Sequence, residues 1–226
     1  MESTFPPSPL NWIDRLSADV RTEVLARHKP VNARTSGDVF SPGDKAPGIF
    51  RVLEGRADMY ALTEDGRAVL FNCYFPGECF GELPMLDGGP HIATLSLTEG
   101  ARLSCLAPGD VAELRRTLPE FDAALTQSVC NTLRSLFAVH LAKLSQQPEE
   151  LLLDRLRYFS SRLRRDDQDE IEIPISQEEF ARMLGVSRRT MVDALAKLQD
   201  RGLIHRNYGS IRFKASGFWS ATAGGS

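Results

Sequence analysis

Ser176-Gln177-Glu178-Glu179-Phe180-Ala181, followed by Leu184-Gly185-Val186-Ser187-Arg188-Arg189-Thr190, is the stretch whose residue types and spacing point most directly to chemistry. Ser176 and Glu179 stand at the separation of a capping box, which opens a helix. Phe180, Ala181, Met183 and Leu184 give that helix a buried face, and Gly185 stops it. Ser187 then caps a second helix running to about Arg201, with Met191, Val192, Ala194, Leu195 and Leu198 on its inner face. Two short helices joined by a glycine-containing turn predict a helix-turn-helix. The first turn of the second helix presents Ser187, Arg188, Arg189 and Thr190. Hydroxyls and backbone N–H groups there suit phosphate, and arginine suits the O6/N7 edge of guanine. The plainer alternative is that helix-loop-helix pieces occur in many folds and that arginines are usually solvated. Three further features weigh against it: the capping at both helix starts, the strands expected at 202–206 and 210–213 around Asn207-Tyr208-Gly209, which form a wing, and the local charge.

The 226 residues carry a net charge of −3, with 42% hydrophobic and 25% charged residues. That composition belongs to a globular chain and excludes disordered, collagen-like and disulfide-scaffold classes. The charge is unevenly distributed. Residues 1–145 have a net of −4, residues 166–180 hold seven acids and no base, and residues 181–226 have a net of +6. Only the last segment is suited to face phosphate. No apolar run reaches the roughly 18–20 residues of a membrane span. Met1–Pro7 lacks the basic and apolar regions of a signal peptide, so a cytoplasmic location is expected. Cys73, Cys79, Cys105 and Cys130 form no C-x-x-C pair and read as small buried hydrophobes.

These motifs need elements to position them. A helix is expected over 17–28, with Ser17 as N-cap. From Val31 to about Leu106, short apolar runs alternate with Pro/Gly/Asp turns every 8–12 residues, which predicts a β-barrel or jelly roll. A short helix over 109–117 precedes a long one from Pro119 to about Ser145. In the long helix Leu125, Val129, Leu133, Leu136, His140 and Leu144 follow spacings of three and four. Such a helix outruns a small barrel, so a dimer seam using Val129, Leu133, Leu136, His140 and Leu144 is expected; a helix packed wholly on its own barrel is the alternative. Ser145–Glu150 marks a break, with Pro148 opening a helix over 149–164. The fold class is therefore α+β: a jelly-roll sensor over 1–118, a dimerisation helix over 119–145 and a winged helix-turn-helix domain over 146–226.

In this order, the pieces resemble the CRP/FNR family of bacterial transcription regulators over about residues 17–215. The specific markers are Phe80-Gly81-Glu82-Leu83 with Leu86-Asp87-Gly88-Gly89-Pro90, and the helix-turn-helix segment quoted above. The resemblance implies a homodimeric, sequence-specific regulator without a cofactor. Its partners would be double-stranded palindromic DNA, a second copy, RNA polymerase and a small-molecule effector. It adds Ser176, Gln177 and Asp193 to the DNA-contacting set. It also implies an effector pocket at Gly81, Glu82, Leu83, His91, Ile92, Leu136 and Phe137.

The chain departs from the family at informative places. In members that bind cyclic AMP the cassette closes with Arg-Ser-Ala-Thr, the glutamate holding the ribose and the arginine the cyclic phosphate. Here the closing segment is His91-Ile92-Ala93-Thr94. Histidine is only partly charged at neutral pH and lacks the bidentate fork, while isoleucine offers no hydrogen bond. An effector other than cyclic AMP is expected, and a regulator needing no ligand is the alternative. No cysteine precedes Cys73, which argues against the family's iron–sulfur sensing. His28, His91 and His140 are candidates for haem ligation, although a lone histidine is more often a surface or satisfied residue. Members reading a TGTGA-like half-site carry Arg-Glu and a second arginine four residues after the Glu, where this chain has Arg188, Arg189 and Asp193; an altered half-site follows. A jelly-roll metalloenzyme is the distant alternative, disfavoured because the roll holds one histidine and no H-x-H.

Overall fold

The computed structural model describes residues 8–31, 37–64, 66–163, 169–207, 209–214 and Phe218. The expected positions Arg164–Gln168 and Tyr208 lie outside the described residues. The chain divides into two compact units, one ending at Leu136 and the other beginning at Phe137. That division falls inside the long helix, whereas the sequence suggested breaks at 118/119 and 145/146.

The first unit opens with a short 3-10 turn, Ile13–Arg15, and α1 (Ala18–Arg27). Ser17 occupies the N-cap position of α1, but its hydroxyl donates to Glu120 instead of capping. Eight strands follow: β1 (Lys29–Val31), β2 (Gly37–Phe40), β3 (Ile49–Glu54), β4 (Ala57–Leu62), β5 (Ala68–Tyr74), β6 (Cys79–Phe80), β7 (Thr94–Leu97) and β8 (Arg102–Leu106), with α2 (Glu82–Asp87) between β6 and β7. They form two four-stranded antiparallel sheets, ordered β1-β8-β3-β6 and β2-β7-β4-β5. Both sheets bury one face in a common core, in which Phe40, Phe50, Val52, Tyr74, Phe80, Leu95, Leu97 and Leu103 meet. The jelly-roll expectation matches this arrangement. A second core joins Trp12, Ile13, Leu16 and Val24 to Val111 and Leu114 of α3 (Pro108–Thr117) and to Phe121 and Leu125 of α4 (Pro119–Ser145). Cys73 and Cys79 are buried as expected. Cys105 and Cys130 are only half-buried: Cys105 lies on β8, its thiol directed at the Pro47 carbonyl, and Cys130 lies on α4.

Val129 is still half-buried, but from Leu133 on most of the large apolar residues of α4 lose their cover. Leu133, Leu136, Phe137, Leu141 and Leu144 are all more than half exposed, so the alternative of a helix packed wholly on its own barrel does not hold for this single chain.

The second unit carries α5 (Pro148–Leu163), β9 (Glu170–Ile173), α6 (Gln177–Leu184), α7 (Arg188–Asp200), β10 (His205–Arg206) and β11 (Ile211–Lys214). The wing is a three-stranded sheet ordered β10-β11-β9, and its third strand is the alternating Ile171–Ile173 segment. Alternation lets Ile171 and Ile173 bury while Glu170 and Glu172 stay in water. Leu152, Leu156 and Phe159 of α5, Phe180 of α6, and Met191, Leu195 and Leu198 of α7 are fully buried. Phe159 meets Phe180 edge-on, with ring centroids 6.0 Å apart.

Candidate nucleic-acid interface and effector pocket

Local chemistry sets the reading helices as the sequence predicts. Ser176 Oγ accepts from the Glu179 N–H, and Glu179 Oε2 accepts from the Ser176 N–H at 2.7 Å, which closes the capping box. The Ser176 hydroxyl is thereby committed to its own helix. Gln177 stands beside it, half-buried at the first position of α6. Gly185 ends α6 at φ +69, a left-handed conformation that L side chains rarely adopt. Ser187 accepts from the Thr190 N–H at 3.1 Å, and the two hydroxyls lie 2.8 Å apart. With its inner face buried, α7 turns Arg188, Arg189 and Asp193 to solvent.

The basic residues of this unit divide into two groups. Arg201 pairs with Glu149 at 2.6 Å and Lys197 lies 3.9 Å from the same carboxylate. Arg212 pairs with Glu172 at 2.9 Å, and Arg206 donates to Gln199. Hydrogen bonds from Ser210 and Arg212 hold Glu172 below the usual carboxylate range. Arg182, Arg188 and Arg189, by contrast, are exposed and meet no carboxylate among the described residues. Among the described residues these three guanidinium groups meet no acid, two of them on the first turn of α7. Asp193 lies further along the helix, beside a groove lined also by Glu149, Glu150 and Asp154. Unpaired positive charge stands at the tip of α7, while along its flank Lys197 and Arg201 face Glu149.

The residues expected to form an effector pocket differ in burial and in partners. Gly81 precedes α2 at φ +92, and a Cβ there would come within 2.8 Å of the Gly48 carbonyl oxygen, so only glycine fits. Glu82 Oε1 accepts from the Trp12 indole N–H at 2.9 Å, among the residues of the second core and not the barrel core. Burial pushes the Glu82 carboxyl up, opposed by hydrogen bonds from its own backbone N–H and from Trp12. Leu83, Ile92, Leu136 and Phe137 are exposed, Ile92 at 74%. His91 is 5% exposed and stacks on Phe40 with ring centroids 3.5 Å apart and planes 4° from parallel. Its backbone is clipped to the 43–44 turn, His91 N–H to the Asp44 carbonyl and the Gly43 N–H to the His91 carbonyl, each at 2.9 Å. Burial lowers the His91 pKa, against the opposing pull of Asp44, and its Nε2 is buried without a partner among the described residues. The barrel interior holds rings: Phe80 stacks on Phe50 at 5.2 Å and lies 5.1 Å from Tyr74, and Phe40 closes on Phe50 and Phe80 at 6.0 and 6.2 Å.

Sequence reasoning did not single out Trp12 or this ring quartet. The signal available was weak: Trp12 follows Asn11 in a short polar-apolar segment, and Phe40 and Phe50 each stand in an ordinary strand run.

Comparison with known proteins matches residues 31–117 to the cyclic nucleotide-binding domain and residues 150–215 to the Crp-like helix-turn-helix domain. The chain belongs to the CRP/FNR family of transcription regulators. Among its CRP/FNR relatives, a CRP-like cAMP-activated global transcriptional regulator of Mycobacterium tuberculosis is 23% identical over 180 residues, covering 78% of this chain and 80% of the relative. The structure of FixK2 from Bradyrhizobium japonicum shares the fold with a TM-score of 0.75 at 18% identity, covering 88% of this chain and 99% of that one. The c-di-GMP responsive global regulator CLP of Xanthomonas campestris superposes with a TM-score of 0.66 at 21% identity, over 88% and 99% of the two chains. This CRP/FNR chain thus pairs the two domains in the order its sequence motifs implied.

Proposed function

We propose that this chain is a homodimeric, sequence-specific regulator that reads a palindromic operator through α7 and answers to no cyclic AMP signal. The observation that carries the DNA reading is the pair Arg188 and Arg189, exposed and without a carboxylate partner among the described residues, on the first turn of a helix locked in place from behind. Ser187 and Thr190 add hydroxyls for phosphate at the same turn, with Gln177 at the start of α6. Arg189 and Asp193, where TGTGA-reading members carry an acid and a base, alter the half-site. The apolar stripe of α4 supports the dimer, since Leu133, Leu136, Phe137, Leu141 and Leu144 stand bare in a single chain. Two recognition helices would then sit one helical turn apart, about 34 Å.

In vitro selection with purified full-length protein, followed by genome-wide mapping of bound DNA, tests this reading. A palindrome whose half-site differs from TGTGA at the positions facing Arg189 and Asp193 is expected. Enrichment of no sequence would overturn it.

His91 and Ile92 replace the phosphate-holding pair, Ile92 faces solvent, and Glu82 is bonded to Trp12. Calorimetry with cyclic AMP is expected to give no micromolar binding; such binding, coupled to tighter operator affinity, would overturn the claim. The rings of Phe40, Phe50, Tyr74 and Phe80 favour a second reading, in which the barrel is filled by its own side chains and the protein binds DNA without a small ligand. On either reading the role is non-enzymatic, with RNA polymerase as a downstream partner.

A further inference from the structure

Residues 8–17 run across the first unit and touch three of its parts. Ser8 Oγ donates to Glu78, the Cys79 N–H donates to the Leu10 carbonyl at 2.9 Å, and Arg51 donates to both Asp14 oxygens at 2.9 and 3.0 Å. These contacts fasten the segment to the barrel. Trp12 donates its indole N–H to Glu82 at the start of α2. The same indole packs edge-on against Phe121 in the first turn of α4, with centroids 5.5 Å apart. Ser17 donates through both its N–H and its hydroxyl to the Glu120 carboxylate, each at 2.6 Å. A second link runs in parallel: Arg115 of α3 donates to the Met85 carbonyl of α2 at 3.2 Å and to Asp122 of α4 at 2.6 Å.

We propose that this segment is an intramolecular strap, and that Trp12 is the positioning residue through which the placement of α2 on the barrel sets the root of α4 and thereby operator binding. The geometry makes Trp12 a joint with two arms. One arm is a directional hydrogen bond to a largely buried carboxylate. The other is a ring contact on a helix that continues without interruption to Ser145, past the division between the two units. Anything that draws the Glu82 carboxylate elsewhere must give up the indole N–H, and the indole cannot shift without disturbing Phe121. In this chain Glu82 therefore works as the anchor of the strap. The inference rests on the DNA-binding reading above and adds to it where control enters.

The test is a double-mutant cycle in the full-length protein on the operator selected by wild type. Trp12→Phe keeps a ring on Phe121 and removes the donor, and Glu82→Met removes the acceptor. If the bond is the coupling element, both single variants and the double variant shift operator affinity by the same factor, about fivefold or more. Melting temperatures are recorded beside the affinities, and binding is measured where every variant is folded. If Glu82→Met does not fold, Ser17→Ala, an exposed change at the α4 end of the strap, takes its place with a shift of the same sign expected. Affinities within about twofold of wild type, with only the melting temperatures lowered, would make the strap merely structural and overturn the proposal. A double variant equal to the product of the two singles would overturn it too. Failure of wild type to select any DNA would instead defeat the DNA-binding reading, and the strap with it.

Discussion

Arg188 and Arg189 differ from most of the basic residues around them in meeting no acid among the described residues. Removing Arg188 should therefore be felt in DNA binding alone: Arg188→Ala is expected to cost about 1–3 kcal/mol at the selected operator and to relax preference at one base position. Competition titration against a panel of single-base variants measures both effects. Unchanged affinity and unchanged base preference would remove Arg188 from the interface. Arg201 offers the contrast, since its guanidinium is already engaged by Glu149. Arg201→Ala should leave operator affinity within about twofold and lower stability by no more than about 1 kcal/mol, the usual worth of an exposed ion pair. A drop in affinity matching that of Arg188→Ala would show that the paired arginine also reaches DNA. The +6 of the last segment was legible in the sequence, and so was the place of Arg188 at a helix start. Which charges are neutralised was not. Glu149 and Arg201 are 52 positions apart, and no local pattern pairs them.

Elements with a strong period were the easiest to foresee. The capping box before α6, the glycine after it and the serine before α7 are local signals, and each stands where its spacing put it. Gly185 allows a clean test of that local chemistry. A Cβ there would meet only the Lys143 ammonium, at an ordinary 3.8 Å, so the penalty of Gly185→Ala comes from its left-handed φ alone. The variant should be less stable by roughly 1–2 kcal/mol in denaturant titrations, and no loss would mean that the turn can relax. Leu141 on α4 tests the proposed seam. It is 63% exposed in the single chain, so Leu141→Asp should leave the fold intact and convert dimer to monomer in sedimentation at micromolar concentration. A variant that stays dimeric would place the seam elsewhere. The effector region shows where local signals fail. Its motif residues were read from a resemblance, but the structure joins Glu82 to Trp12 across 70 positions and stacks His91 on Phe40 at the end of β2. Side-chain partners at such range follow from packing volume and burial, which spacing along the chain does not encode.

At the scale of the whole molecule, stability should depend on pH through buried histidine. His28 lies within 3.1 Å of the Ser104 hydroxyl through Nδ1, and burial, helped by the nearby Arg51, lowers its pKa to about 4. The unfolded chain would take up a proton below about pH 6.5, while the folded chain resists it down to about 4. Stability is therefore full above pH 6.5 and is lost as pH falls through that window. Allowing for partial solvent access, the His28 share is on the order of 2 kcal/mol. His91 is shifted in the same direction. Comparing denaturation at pH 7.5 and pH 5 isolates the effect, since His28→Gln should lose less stability on acidification than wild type. Equal losses in the two proteins would place the acid sensitivity in other groups.

The bare stripe of α4 has a consequence for how much protein a cell makes. If this stripe is the dimer seam, five large apolar side chains in water disfavour the lone chain, and every added copy lowers that penalty by mass action. If pairing through this stripe precedes DNA binding, dilute protein would occupy its operator in proportion to the square of its concentration. Thermal stability would rise with concentration as well. Expression level would then act as an input in its own right, able to switch the target genes sharply even if no small molecule ever enters the barrel.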